Sequence, residues 1–328
     1  MAHIRILGTG GTIASTQTAD GGAIAAESAA TLAERLTGRH ETSTRELLTL
    51  GSYLLDLGHL RLISRGIEDA AREPGVDGIV ITHGTDTVEE TAFLADLCHE
   101  ARVPVVFTGA QRTADSLSAD GPANLAQAIE FAATPALAQA GALIAFGGLA
   151  RTARGARKAD TLAPDPFRGG VPVAHLIGDR VQVDALPARA PRFALPGEGF
   201  AARRVDLIPT GPGIGPDLMR AALGLGAEAI VLIASGTGNA GPGFVDAVAE
   251  AVRGGVPVIL GTRTPWGPVV PVYGNGGGVD LVAAGAIAAG DLNPYQARLL
   301  AAVLLGETGT PVEFAERFVA YRDTAATG

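Results

Sequence analysis

A chain of 328 residues that is 47% hydrophobic can fill one large core or two ordinary ones, and at roughly 100 to 200 residues per domain two are expected. Lys and Arg total 25 against 34 Asp and Glu, a formal net charge of −9, which argues against the basic face that a nucleic-acid binder sets against phosphates. Cys98 is the single cysteine; no intrachain disulfide is possible, and its place on an apolar helical stripe reads as a packed thiol.

His3 to Leu7 alternates in polarity and runs at once into Gly8-Thr9-Gly10-Gly11-Thr12, a strand feeding a glycine loop. So few apolar residues precede this polar loop that neither a signal-peptide core nor a membrane span is expected, which points to a cytoplasmic protein without membrane partners. Ser15 to Glu27 is small and polar, a composition suited to a mobile lid more than to a packed element. Ser28 to Leu36 reads as a helix, as does Gly58 to Arg72, where Leu60, Ile63, Ile67 and Ala71 recur at helical spacing.

Ile79, Val80 and Ile81 form a β-branched run suited to a strand buried on both faces. Thr87 and Glu90 match the S/T-x-x-E capping box, and Thr91, Phe93, Leu94, Leu97 and Cys98 carry the helix onward. Thr85 and Asp86 therefore stand at the carboxyl end of a strand and the amino end of a helix, the edge at which open α/β sheets bind ligands and a helix end favours an anion. The same residues also read as a plain helix cap.

Pro104 to Thr108 and Ala142 to Phe146 are further buried strands, with a helix from Pro122 to about Ala133 between them. Strands alternating with helices predict an α/β fold, a larger N-terminal domain over residues 1–186 built on a doubly wound, mainly parallel sheet. Within it, Val171 to Val183 reads as hairpins. Residues 187–204, with Pro187, Pro191 and Pro196 and no apolar period, read as an interdomain linker. Residues 205–328 then form a smaller C-terminal α/β domain, with strands at Val205 to Pro209, Ala229 to Ala234 and Pro257 to Gly261. Helices are expected near Pro216 to Leu225 and Gly243 to Arg253, and at Val279 to Ala289, Pro294 to Leu305 and Val312 to Thr324.

Common cofactor motifs do not fit. Gly8-x-Gly10 opens like a dinucleotide fingerprint, but Ile13 stands where the third glycine is needed. No Walker loop occurs, Ser235 lacks the preceding glycine of a nucleophile elbow, and the six histidines are scattered without metal-ligand spacing. What remains is hydroxyls, one acid and one lysine: Thr12, Ser52, Thr85, Asp86 and Lys158. A threonine hydroxyl becomes a nucleophile when a neighbour takes its proton, and a lysine can do so directly or through another hydroxyl. Lys158 is the only lysine in the chain, and every arginine is barred from that task because it keeps its proton. A solvated loop lysine is the competing reading.

Gly8-Thr9-Gly10-Gly11-Thr12-Ile13-Ala14-Ser15 and Ile81-Thr82-His83-Gly84-Thr85-Asp86-Thr87 resemble the two signature segments of the bacterial-type L-asparaginase and glutaminase-asparaginase family. Gly51-Ser52, Thr108-Gly109-Ala110-Gln111, the segment Ser118 to Leu125, Lys158, and Leu292-Asn293-Pro294 with Ala297-Arg298 match further family segments in order. The resemblance implies two α/β domains, a homo-oligomer (dimer or tetramer), no cofactor, and hydrolysis of L-asparagine, a small-molecule amino-acid amide, to L-aspartate and ammonia. It implies Thr12 as nucleophile, a second group of Thr85, Lys158 and Asp86, and substrate contacts at Gly11, Gly51, Ser52, Thr85, Asp86 and Ala110, with backbone N–H groups near Gly11 and Thr85 facing the oxyanion. Another small amide, glutamine or D-asparagine, and a weakly active amino-acid-binding protein are the alternatives.

Two departures stand out. The family usually carries a lid tyrosine, yet none occurs before Tyr53 and Gly22-Ala23 occupies the place, which leaves Thr16 or Thr18 as hydroxyl donors. Many relatives also draw an Asn and a Glu from a neighbouring subunit; here Asn239 is present, but Pro268 to Gly278 holds no acid.

Overall fold

The computed structural model describes residues 1–17, 22–25, 28–34, 38–100 and 102–324, with residue 17 and residues 23–25 described by backbone alone. Two units are distinguished, Met1–Leu195 and Pro196–Gly328, each with its own sheet.

The first unit opens with β1 (His3–Gly10), a short hairpin of β2 (Ser15–Gln17) and β3 (Ala23–Ala25), helix α1 (Ala29–Glu34), and β4 (Glu41–Leu50). Helix α2 (Leu57–Ala71), β5 (Gly78–Thr82), α3 (Val88–Cys98), β6 (Val105–Thr108), α4 (Gly121–Ala132) and β7 (Ala142–Phe146) follow, then β8 (Leu149–Thr152), β9 (Arg157–Lys158), β10 (Phe167–Arg168), β11 (Pro172–Ile177) and β12 (Arg180–Val183). Eight strands form one sheet in the order β12-β11-β8-β7-β6-β5-β1-β4. The run β4-β1-β5-β6-β7 is parallel and the remaining pairings are antiparallel.

Alternation along the strands divides the core. Ile79, Ile81 and Phe107 join Ile63 and Ile67 of α2 and Ala92 of α3 on one face, while Ile4, Ile6, Val80 and Val106 join Leu125 and Ile129 of α4 on the other. Burial on both faces is what the β-branched run at residues 79–81 requires.

Strand β1 lies between β4 and β5, so the chain reverses direction across the sheet there. Such a switch point opens a crevice at the carboxyl ends of the strands. The loops after β1 and β5 are those that carry Thr12 and Thr85.

The second unit has β13 (Val205–Pro209), α5 (Asp217–Gly224), β14 (Ala229–Ala234), α6 (Phe244–Arg253), β15 (Val258–Thr262), α7 (Gly278–Ala283), β16 (Ile287–Ala288), α8 (Pro294–Glu307) and α9 (Pro311–Thr324). Its four strands pair in parallel in chain order. Met219, Phe244, Val248 and Leu281 from the connecting helices share a core with Ile230, Leu232 and Leu260. Asn293 caps α8 by accepting the N–H of Gln296 at 2.9 Å, with Pro294 in the first turn.

The expected α/β class, a larger N-terminal mainly parallel sheet and a smaller C-terminal α/β unit, stands, and four local readings are corrected. The capping box at Thr87 and Glu90 does not form: the Thr87 side chain accepts no cap bond, and its hydroxyl instead donates to the Ser52 carbonyl at 2.9 Å. Part of the expected lid pairs as the β2–β3 hairpin, tied down by the Ala114 N–H donating to the Ser15 carbonyl at 2.9 Å; residues 18–21 and 26–27, Thr18 included, lie outside the described residues, as does Leu36 at the end of the expected first helix. The edge strand β4 was not expected at all. The helix expected over Val279 to Ala289 stops at Ala283, because Gly285 takes φ +105° and Ile287 and Ala288 then join β15.

The segment after β12 is pinned rather than free at its start. Arg189 Nη2 donates to the Asp96 carbonyl at 3.0 Å and the Phe193 N–H donates to the Leu97 carbonyl at 2.9 Å, with the Phe193 ring buried.

Candidate active site

Three loops meet at the switch point, and glycines are what let them. The register between β1 and β4 slips after Gly8, so that Gly10 pairs with Leu50 and the Gly11 N–H donates to the Leu50 carbonyl at 3.1 Å. Gly11 holds φ +83°, and a Cβ there would land on the Gly84 backbone. Both the left-handed conformation and the contact demand glycine. A Cβ on Gly84 would in turn stand 2.5 Å from Ser52 Oγ. Gly11, Gly84 and Ser52 are thus packed in a row, and Thr12 and Thr85 are the residues that directly follow the two glycines.

Each loop is locked from behind. Thr9 Oγ1 donates to the Thr82 carbonyl at 2.8 Å and joins β1 to β5. The His83 N–H donates to the Thr108 carbonyl at 2.8 Å, extending the β5–β6 ladder into the loop. Asp120 accepts the N–H groups of Gln111 at 3.0 Å and Arg112 at 2.9 Å, and Asn124 donates to the Gly109 carbonyl at 3.0 Å. That network fixes Ala110, whose side chain is fully buried. The motif Asp120-Gly121-Pro122 with Asn124 therefore serves the loop before it.

Lys158 sits on β9, paired in antiparallel register opposite Phe167 of β10. Its Nζ donates to Thr85 Oγ1 at 2.9 Å and lies 2.7 Å from Asp86 Oδ1. Thr85 is 4% exposed, whereas the Asp86 side chain is 56% exposed. A buried hydroxyl, a partly buried amine and an open carboxylate thus form a chain running outward toward solvent.

Two buried titratable groups flank it. Glu89, the second residue of α3, accepts the backbone N–H of Lys158 through Oε2. Burial pushes its carboxyl up to about 7, aided by Glu90 and opposed by the Lys158 N–H and by the charges of Arg157 and Lys158. His83 is fully buried, with Nδ1 2.7 Å from the Gly84 carbonyl. Burial lowers it to about 4 against the weaker raising effect of that carbonyl, so it stays neutral beneath the loop.

Comparison with known proteins decides the family. The asparaginase N-terminal family model matches residues 3–189, and the glutaminase/asparaginase C-terminal domain model matches residues 204–318. The chain belongs to the asparaginase family. It is 38% identical over 316 residues to the probable L-asparaginase of Deinococcus radiodurans, covering 93% of each chain. It is 30% identical over 335 residues to L-asparaginase 2 of Bacillus subtilis, covering 98% of this chain and 87% of that one. The crystal structure of a probable cytoplasmic L-asparaginase from Campylobacter jejuni superposes with a TM-score of 0.86 at 28% identity, over 97% of this chain and 99% of that one.

Of the residues expected in the site, Gly11, Ser52, Thr85, Asp86 and Lys158 are brought together by hydrogen bonds or close approaches of the backbone. Thr12 opens the one-turn helix Thr12–Ala14 directly after Gly11, and Gly51 precedes the turn Ser52–Leu54. The Gly11 N–H is taken by Leu50, which removes it from the donors open to an oxyanion. Asn239, in the second unit, uses its Oδ1 to accept the Gly278 N–H at 3.0 Å. Glu89 was missed. Its signal was an acid four residues before Phe93 on a helix with apolar residues on every side. Among the described residues, no group of three His, Cys, Asp or Glu is placed to hold a metal ion, and no helix is long and apolar enough to cross a membrane.

Proposed function

We propose that the chain hydrolyses the side-chain amide of L-asparagine to L-aspartate and ammonia. The observation that carries this reading is the bridge of Lys158 Nζ between Thr85 Oγ1 and Asp86 Oδ1 at the switch point of the sheet. The two L-asparaginases compared above support it. Thr12 attacks the side-chain carbonyl carbon as its hydroxyl proton passes to the Lys158–Thr85 pair; the C–N bond breaks and the pair hands that proton to the nitrogen, which leaves as ammonia. Water then attacks the resulting ester and gives a proton to the same pair, which returns it to the Thr12 oxygen as the ester C–O bond breaks. Ser52 and Thr85, with Gly11, Gly51 and Ala110 shaping the floor, take the α-carboxylate near the start of α3, and Asp86 takes the α-ammonium.

The reading includes no cofactor. It also includes residues 1–186 as the catalytic domain, 187–204 as a linker, 205–328 as a second domain, assembly as a homodimer or tetramer, and a cytoplasmic location. The Campylobacter protein, named as cytoplasmic, supports the last. With no tyrosine before Tyr53 and no acid over residues 268–278, we expect glutamine to be a poor substrate. Steady-state ammonia release from L-asparagine, L-glutamine and the D-isomers is the test. The highest kcat/KM is expected with L-asparagine, and equal efficiency on glutamine would sink the altered recognition.

A further inference from the structure

Strand β9 is only two residues long and, among the described residues, pairs with nothing but the equally short β10. So short a ribbon defines the height of its backbone poorly by itself. Yet Lys158 must present its amine within hydrogen-bonding reach of two groups that belong to a different element, Thr85 and Asp86 at the entrance to α3. One side chain ties the two together. Glu89, in the first turn of α3, accepts the Lys158 backbone N–H and is itself 6% exposed. Thr85 lies in the turn that leads through the N-cap Thr87 into α3, and Glu89 is the second residue of that helix, so the hydroxyl and the anchor stand four residues apart at one helix entrance.

We infer that Glu89 is a positioning residue, whose buried carboxylate grips the Lys158 backbone and so holds the Lys158 amine between Thr85 and Asp86. The inference rests on the proposed role of Lys158. Glu89 is faced by Glu90 of its own helix and by Arg157 and Lys158 of β9. Its carboxyl titrates near neutrality, at about 7, within the range in which the site works as an acid and base. The ionised carboxylate is the stronger acceptor, so the grip tightens as pH rises through that value.

Full-length Glu89→Ala, Glu89→Gln and Lys158→Met are to be compared with wild type for kcat and KM on L-asparagine between about pH 5 and 9, with the thermal midpoint as a check on folding. Glu89→Ala should lower kcat about tenfold or more with KM within about threefold, the scale expected when a catalytic group is misplaced by a fraction of an ångström. Glu89→Gln, which keeps an acceptor oxygen but does not titrate, should stay within about threefold of wild type and lose the rise in kcat near neutral pH. A folded Glu89→Ala with wild-type kcat overturns the inference. So does a Glu89→Gln that keeps the wild-type inflection, or that is as impaired as Glu89→Ala. If Glu89→Ala does not fold, the Glu89→Gln profile decides alone. Undiminished kcat in Lys158→Met would instead remove the role of Lys158 beneath the inference, whereas a dead Lys158→Met beside an unaffected Glu89→Ala defeats only the part given to Glu89.

Discussion

The amine of Lys158 lies 2.9 Å from the hydroxyl of Thr85, and no other lysine exists anywhere in the chain. An amine-directed reagent therefore has two targets only, Lys158 and the α-amino group. Acylation should abolish ammonia release in step with modification of Lys158, and L-aspartate should protect. Mass spectrometry of the labelled peptide checks this. Full activity after stoichiometric labelling of Lys158 would contradict it.

Thr12→Ala should lower kcat by at least about two orders of magnitude, the scale of a lost nucleophile. The Thr12 side chain is only partly buried, so the melting temperature should barely change. Thr12→Ser should recover much of the loss. A fold-competent Thr12→Ala turning over like wild type would exclude Thr12 from the chemistry.

Thr87 tests a different link. Its hydroxyl donates to the Ser52 carbonyl and joins the second loop to the helix entrance. Thr87→Val keeps the shape but removes the donor, so a loss of about 1 kcal/mol in stability is expected. The larger effect should fall on KM through displacement of Ser52. Urea denaturation and steady-state kinetics measure the two, and an unchanged KM would show that Ser52 is held without Thr87.

Stability should depend on pH through two buried groups with opposite signs. Glu89 has its folded-state value raised from 4.5 to about 7, so its contribution is full below about 4.5 and is lost as pH rises through 7. The ionised form then costs about 3 kcal/mol. His83 is lowered from 6.5 to about 4, so its contribution is present above about 6.5 and is lost as pH falls through 4. Glu89→Gln should gain stability relative to wild type between pH 5 and 8 in urea titrations. A constant difference across that range would contradict burial of the carboxyl.

Much of this was legible in the residues. Ile79 to Ile81 declared a strand buried on both faces, and the polar residues that follow marked the carboxyl end of that strand and the entrance to α3, because period and composition are local properties. Strand β4 was not legible: Glu41, Arg45 and Glu46 on a half-exposed edge give it no apolar run. The capping box failed for a tertiary reason, since the Ser52 carbonyl, 35 residues away, captured the Thr87 hydroxyl. Glu89 was hidden in the same way. Nothing near it in the chain says that a two-residue strand 69 positions later will close over it.

The central claim is that Lys158, held against Thr85 and Asp86, moves the proton in amide hydrolysis. The most direct measurement is kcat for ammonia release from L-asparagine by folded Lys158→Met beside wild type. A loss of at least about two orders of magnitude is predicted; turnover near that of wild type would contradict the account.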